Sequence, residues 1–241
     1  MRLLIVGANS DIAKESAKVF AENGFDLILA NRDIDRLKDF KKDIQLRYNK
    51  KVDLVELDLL ELSKIDDFYH GLGEIDGVII ASGIMYEQSE AFIDNQKTLE
   101  TININYTSVV LLLNLIARSF AKRKYGFIVG ISSVAGDRGR KTNFIYGSSK
   151  AGFSTYLSGL RNYLFDMNVQ VLTVKPGFVD TKMTANLDLP SNLTAQPNEV
   201  AQDIFNAYKN KKDIIYSKSI WKIIMLIIRH IPEFIFKRLS I

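Results

Sequence analysis

Tyr146 and Lys150 stand four residues apart, which puts both side chains on one face of a helix. A lysine ammonium beside a phenol favours the phenolate, so such a pair can exchange a proton where free tyrosine, with a pKa of about 10, cannot. Ser133, thirteen positions before Tyr146, adds a hydroxyl that could point at the same substrate oxygen. A Tyr/Lys pair at this spacing also arises by chance on many helices. The elements that carry it therefore have to decide.

Those elements alternate. Short apolar runs at Arg2 to Val6, Asp26 to Ala30, Val52 to Leu57, Gly77 to Ala81, Tyr125 to Ile131, Val169 to Lys175 and Asp213 to Tyr216 read as strands. Between them lie helical patterns at Asp11 to Glu22, Asp33 to about Tyr48, Leu62 to Tyr69, residues 88–122 and Tyr146 to Asp166. The half from Ile102 to Phe120 is apolar nearly all round, as in a helix buried on more than one side. Continuously apolar strands alternating with helices predict an α/β fold with a doubly wound parallel sheet of about seven strands and helices on both faces. Ligands in such a sheet bind beyond the carboxyl ends of the strands. The candidate chemistry does fall just after strands.

The bulk composition narrows the function classes. The chain has 241 residues, 47% hydrophobic and 25% charged, and a net charge of +4, too small to suggest a nucleic-acid partner. It contains no cysteine and two histidines, His70 and His230, so neither a disulfide framework nor a thiolate or histidine-rich metal site is expected. The N-terminus turns polar at once after a short apolar run, too short for a signal peptide, and a cytoplasmic location is expected.

Several turns suit a dinucleotide. Gly7-Ala8-Asn9-Ser10-Asp11-Ile12-Ala13 opens the first helix, where backbone N–H groups and the helix dipole can receive phosphate. Only the first glycine of the three-glycine fingerprint is kept; Asp11 and Ala13 hold the other places, and Ser10 or Asp11 could equally be an ordinary N-cap. After the second strand, Asn31 is neutral and Arg32 cationic, which suits a 2′-phosphate and favours NADP(H) over NAD(H). Arg32 could instead face Asp33 or Asp35 in solvent. Asp58, followed by Leu59, could accept from an adenine amino group, and Ser82-Gly83 allows close approach to the cofactor ribose.

With Gly7, Asp58, Gly83, Asn105, Ile131-Ser132-Ser133, Tyr146-x-x-x-Lys150 and Pro176-Gly177 in this order and spacing, the chain from Met1 to about Tyr216 resembles the short-chain dehydrogenase/reductase family. The resemblance implies a Rossmann-type fold and a catalytic set of Asn105, Ser133, Tyr146 and Lys150. Tyr146 would be the general acid, Lys150 would lower its pKa and hold the nicotinamide ribose, Ser133 would orient the carbonyl, and Asn105 would hold a proton-supplying water chain. The cofactor would lie against Gly7, Asn9, Ser10, Asp11, Ile12, Arg32, Asp58, Leu59, Ser82, Gly83, Tyr146, Lys150, Pro176, Gly177, Val179 and Thr181. Only the spacing to Tyr146 selects Ser133 over Ser132. The chain departs from the family pattern after the fourth strand, where Ile80-Ala81-Ser82-Gly83 lacks the usual structural asparagine.

Two stretches lie outside that frame. Residues 182–198 are polar, with Pro190 and Pro197, and read as a lid over the substrate or as a surface loop. Residues 219–241 form an apolar and basic helical extension to a single catalytic domain of residues 1–218, broken at Pro232. Its uncharged run is too short to span a bilayer; it could lie in a membrane interface, cover a subunit contact or wall a greasy pocket. Residues 137–141 read as a basic, exposed loop near the substrate mouth. The tail, the glycine turn and Ala-Ser-Gly also resemble the branch containing the reductase partner of decaprenylphosphoryl-ribose 2′-epimerase. The expected activity is therefore reduction of a keto-sugar or lipid-linked keto-sugar, with a homodimer or homotetramer as the assembly. The alternatives are a reductase of keto-acyl or other hydrophobic carbonyls and a non-enzymatic dinucleotide-binding subunit.

Overall fold

The computed structural model describes residues 1–185 and 187–239. Seven strands form one parallel sheet in the order β3-β2-β1-β4-β5-β6-β9: β1 Arg2–Val6, β2 Asp26–Asn31, β3 Val52–Glu56, β4 Gly77–Ile80, β5 Gly126–Ile131, β6 Val169–Pro176 and β9 Ile214–Ser217. Chain order runs outward from β1 to β3, then returns to place β4 on the other side of β1. That reversal opens a crevice between the carboxyl ends of β1 and β4. The predicted α/β architecture is the observed one. Each strand lies within a residue or so of its expected bounds.

The strands are apolar throughout because both faces are covered. On one face α1 Asp11–Glu22 and α8 Pro197–Lys209 enclose Phe20, Leu29, Val129, Leu172 and Ile204. On the other, α3 Ile65–Gly71, α6 Ser108–Arg123 and α7 Phe144–Leu164 bury Ile28, Val78, Leu113, Ile116, Phe120, Phe153 and Leu157. Helix α6 buries one stripe, Val109, Leu112, Leu113, Ile116, Ala117 and Phe120, and leaves Leu111, Asn114 and Arg118 exposed, so the expected burial on more than one side is not what the fold shows. Helix α8, which the apolar periodicity did not reveal, carries its own start signal. Pro197 occupies the first turn, and Gln196 and Glu199 cap one another reciprocally.

The helical pattern expected over residues 88–122 divides in three. Helix α4 spans Gln88–Ile93, α5 spans Asn95–Ile102 behind an Asp94 N-cap, and a π-helical turn at Asn103–Thr107 leads into α6. The π turn adds a residue to the helical ladder and so rotates Asn105 inward. Two short strands, β7 Phe178–Val179 and β8 Thr194–Ala195, pair outside the main sheet and bracket the polar loop. Asn186 of that loop and Ser240 and Ile241 of the tail lie outside the described residues.

The tail forms α9 Ile220–His230 and α10 Glu233–Phe236, split at Pro232 as expected. Trp221, Ile224, Met225 and Ile228, at helical spacing, pack on Val134, Phe178, Leu193 and Tyr216. Gly177 is in direct van der Waals contact with the Trp221 indole, leaving no room there for a side chain.

Candidate active site

The carboxyl ends of β1, β2, β4, β5 and β6 converge on one cavity of about 560 Å³. Its wall includes every predicted cofactor residue: Gly7, Asn9, Ser10, Asp11, Ile12, Arg32, Asp58, Leu59, Ser82, Gly83, Tyr146, Lys150, Pro176, Gly177, Val179 and Thr181. Ser133 and Tyr146 share it; Asn105 does not reach the wall.

The glycine turn is tightly built. Gly7 has a φ of +78°, and a Cβ there would lie 2.6 Å from the Ser82 backbone, so only glycine lets the β1 and β4 loops meet. Ser10 is the N-cap of α1, its hydroxyl accepting from Ala13 N at 3.2 Å. The Asp11 carboxylate accepts from Lys182 N at 3.0 Å, tying the polar loop to the turn on the cavity wall. Asn9 Nδ2 donates to Asp33 O at 3.0 Å and fixes the end of β2. Arg32 has no ion pair among the described residues, since Asp33 pairs with Arg36 and Asp35 with Lys38. Asp58 Oδ1 accepts from Leu60 N at 2.9 Å, while Ser108 Oγ donates to the Leu59 carbonyl. The Ser82 hydroxyl is buried on the cavity wall without a partner among the described residues. An orphaned hydroxyl over a glycine-lined crevice fits a bound ribose or phosphate.

The catalytic candidates meet at the centre. Tyr146 and Lys150 lie on the first turns of α7, with the Lys150 ammonium 5.9 Å from the Tyr146 ring centre. Lys150 is 3% exposed, and its Nζ donates to Ile131 O at 3.0 Å. Burial pulls its pKa down to about 8. Burial also pushes Tyr146 up to about 12, and the hydrogen bond with Ser133 only partly opposes the rise. Burial thus acts on Tyr146 in the direction opposite to the lowering by Lys150 that the resemblance implies. At neutral pH the pair is a protonated phenol beside a protonated amine.

The two serines separate clearly. Both line the cavity, but Ser132 Oγ is engaged by Lys150 O and Ser154 Oγ, whereas Ser133 Oγ accepts from Ala135 N at 3.1 Å and is hydrogen-bonded with Tyr146. Asn105 is 1% exposed; its Oδ1 accepts from Ile84 N at 2.8 Å, and its Nδ2 donates to Ile84 O and Ser149 Oγ. Both amide protons are thus spent on bracing the Ile84 segment against α7. Gly83 passes over this brace, where an added Cβ would lie 3.3 Å from Lys150 Nζ.

At the far end of the cavity Arg140 comes from the loop expected near the substrate mouth and Met183, Thr184 and Leu187 from the expected lid, whereas Tyr86 and Asn143 carried no signal in the sequence. The polar loop at 182–198 does reach the cavity, through Lys182, Met183, Thr184 and Leu187. The loop at 137–141 departs from its expected exposure. Asp137 is buried against Lys175 at 2.5 Å and Tyr216 Oη at 2.8 Å, and Arg138 grips the tail. The Arg138 guanidinium donates to Ile228 O and Ile231 O, each at 2.6 Å, pairs with Glu233 at 2.8 Å and stacks on Phe236. These partners lie some 90 residues further along the chain, out of reach of local pattern reading.

Comparisons with known proteins agree with this geometry. The family model described as short chain dehydrogenase matches residues 2–191. An uncharacterised oxidoreductase of Mycobacterium tuberculosis is 30% identical over 241 residues, covering 98% of this chain and 96% of its own. A short-chain dehydrogenase from Sphingobium yanoikuyae solved with NADPH superposes with a TM-score of 0.83 at 22% identity, covering 96% of each chain. A 3-oxoacyl-[acyl-carrier protein] reductase from Brucella melitensis solved with NAD gives 0.82 at 19% identity, covering 92% of this chain and 97% of its own.

Proposed function

The chain belongs to the short-chain dehydrogenase family, and on that premise we propose that it is an NAD(P)(H)-dependent oxidoreductase that reduces a ketone to a secondary alcohol. The observation that carries this reading is the meeting of Ser133, Tyr146 and Lys150 in the cavity at the β1/β4 crevice, with the tyrosine held protonated. A nicotinamide cofactor held against these residues would supply the hydride for the carbonyl carbon. Tyr146 Oη gives its proton to the carbonyl oxygen as negative charge develops there, and Ser133 donates a hydrogen bond to the same oxygen. Lys150, cationic below pH about 8, stabilises the phenolate left behind and sits where a cofactor ribose can be held. Asn105 acts one layer out as a positioning residue, fixing the Ile84 segment and α7 so that Gly83 and Lys150 keep their separation.

NADP(H) is the preferred cofactor in this reading, supported by the free guanidinium of Arg32 on the cavity wall. The substrate is a keto-sugar or a lipid-linked keto-sugar, which suits a cavity with polar far-end residues beneath an apolar tail. The catalytic unit is residues 1–218, and the extension serves as a peripheral membrane contact on the cytoplasmic side. Its outward Ile223, Leu226, Ile227 and Phe234, flanked by Lys222, Arg229, Lys237 and Arg238, support this role. Self-association runs through α6 and α7, where Leu111 and Tyr163 are exposed beside a groove lined by Tyr106, Tyr156 and Leu160.

The decisive experiment follows NADPH absorbance with a panel of keto-sugars and hydrophobic ketones. Tyr146→Phe is expected to lower kcat by about 10³-fold with cofactor affinity retained. Equal turnover by wild type and variant would sink the mechanism.

A further inference from the structure

Five arginines are partly buried among the described residues: Arg2, Arg123, Arg138, Arg140 and Arg161. Four have their charge answered, by Asp53, Glu74, Glu233 and Asp213 respectively, with backbone carbonyls completing each set. Arg140 has neither an ion pair nor a hydrogen bond among the described residues, and its buried Nε is without a partner. The acidic neighbour that acts on it, Asp137, has both carboxylate oxygens committed to Lys175 and Tyr216. A guanidinium that cannot lose its proton is costly to desolvate without an anion. Burial accordingly lowers the Arg140 pKa, with Asp137 only partly opposing that.

The position of this uncompensated charge gives it a use. Arg140 lies in the loop joining Ser133 to Tyr146 and lines the same cavity wall as both. Its neighbour on that wall, Asn143, has a buried Oδ1 that also lacks a partner among the described residues. The site is distinct from the cofactor-phosphate end. Arg32 follows β2 and Arg140 follows β5, three strand spacings apart in the sheet, or roughly 14 Å.

We infer that Arg140 forms an oxyanion subsite for the carbonyl substrate, so that the enzyme selects ketones bearing a phosphate or carboxylate, with Asn143 accepting from a neighbouring hydroxyl. This rests on the reductase reading for the identity of the site, while the planar fork of arginine supplies the two parallel donors that phosphate and carboxylate match.

The test uses the full chain saturated with NADP⁺, so that cofactor phosphate sites are filled, and calorimetric binding of two matched pairs. Xylulose 5-phosphate against xylulose probes phosphate; levulinate against methyl levulinate probes carboxylate. In at least one pair the charged member is expected to bind wild type about tenfold or more tightly. Arg140→Met should remove that preference without changing binding of the neutral member, and Arg140→Lys should keep part of it. Arg140→Lys, which retains charge and bulk, carries the comparison if the methionine variant does not fold. The subsite is overturned if neither pair shows a charge preference in wild type, or if the preference survives in Arg140→Met. An Arg140-dependent preference without any NADPH consumption would instead overturn the reductase reading and leave the subsite standing.

Discussion

The two ends of the cavity are built on different principles. At the cofactor end the chain presents turns directly after strands, with small residues at Gly7, Ser82 and Gly83 and side chains such as Ser10, Asn9 and Asp58 committed to the backbone. At the substrate end, where the tail packs on Val134 and Phe178 without lining the cavity, the wall comes from two long excursions: the 133–146 loop and the segment after β6, from Gly177 through Thr184 with Leu187. Its polar atoms on Arg140 and Asn143 are left unanswered among the described residues. One end is fixed by the geometry that any parallel sheet provides at its switch point. The other is shaped by side chains that come from loops between distant segments.

That contrast can be broken in order of expected effect. Tyr146 and Lys150 lie between the two ends and should influence both alike. As pH rises through about 8 Lys150 loses its proton, while Tyr146, with a pKa of about 12, keeps its own. The reductive kcat/KM should therefore fall roughly tenfold per pH unit above 8, with the same slope for neutral and anionic ketones because Arg140 does not titrate there. A slope present with anionic ketones alone would move the titrating group to the substrate end.

Arg32→Asp tests the cofactor end by itself. It should weaken NADPH binding by about tenfold and leave NADH within about threefold, measured by fluorescence titration. Equal weakening of both cofactors would make Arg32 a structural residue of the β2 turn.

The smallest effect is expected at the tail. Arg138→Ala removes three strong contacts between the 137–141 loop and α9–α10. It should raise hydrogen exchange in residues 220–236 and lower the melting temperature by a few degrees, for a loss of about 1–3 kcal/mol, while NADPH affinity stays unchanged. Loss of cofactor affinity in this variant would show that the two ends are not independently built.

Reading the chain without its fold found the sheet and the cofactor end because their signals are local. Apolar runs of five to eight residues mark buried parallel strands, and small or polar residues immediately after them mark the crevice. The same locality explains Tyr146 and Lys150, which one helical turn brings together. Asn105 was implied by the family resemblance, but its present partners, Ile84 and Ser149, are contacts of the packed fold. Arg138 and Arg140 differ by two positions and look alike in sequence, yet one is fully engaged by the tail and the other faces the cavity unpaired. Their fates depend on partners far along the chain.

The sequence by itself determined the α/β layering, the place of the crevice and the residues that could exchange a proton, because periodicity and helical spacing act over a few residues. Tertiary structure decided the burial of Tyr146, the engagement of the Ser132 hydroxyl by Lys150 O and Ser154 Oγ, the docking of the tail on Val134 and Phe178, and the isolation of Arg140. Each of these depends on desolvation or on contacts between segments distant in sequence, and such quantities exist only after the chain has packed.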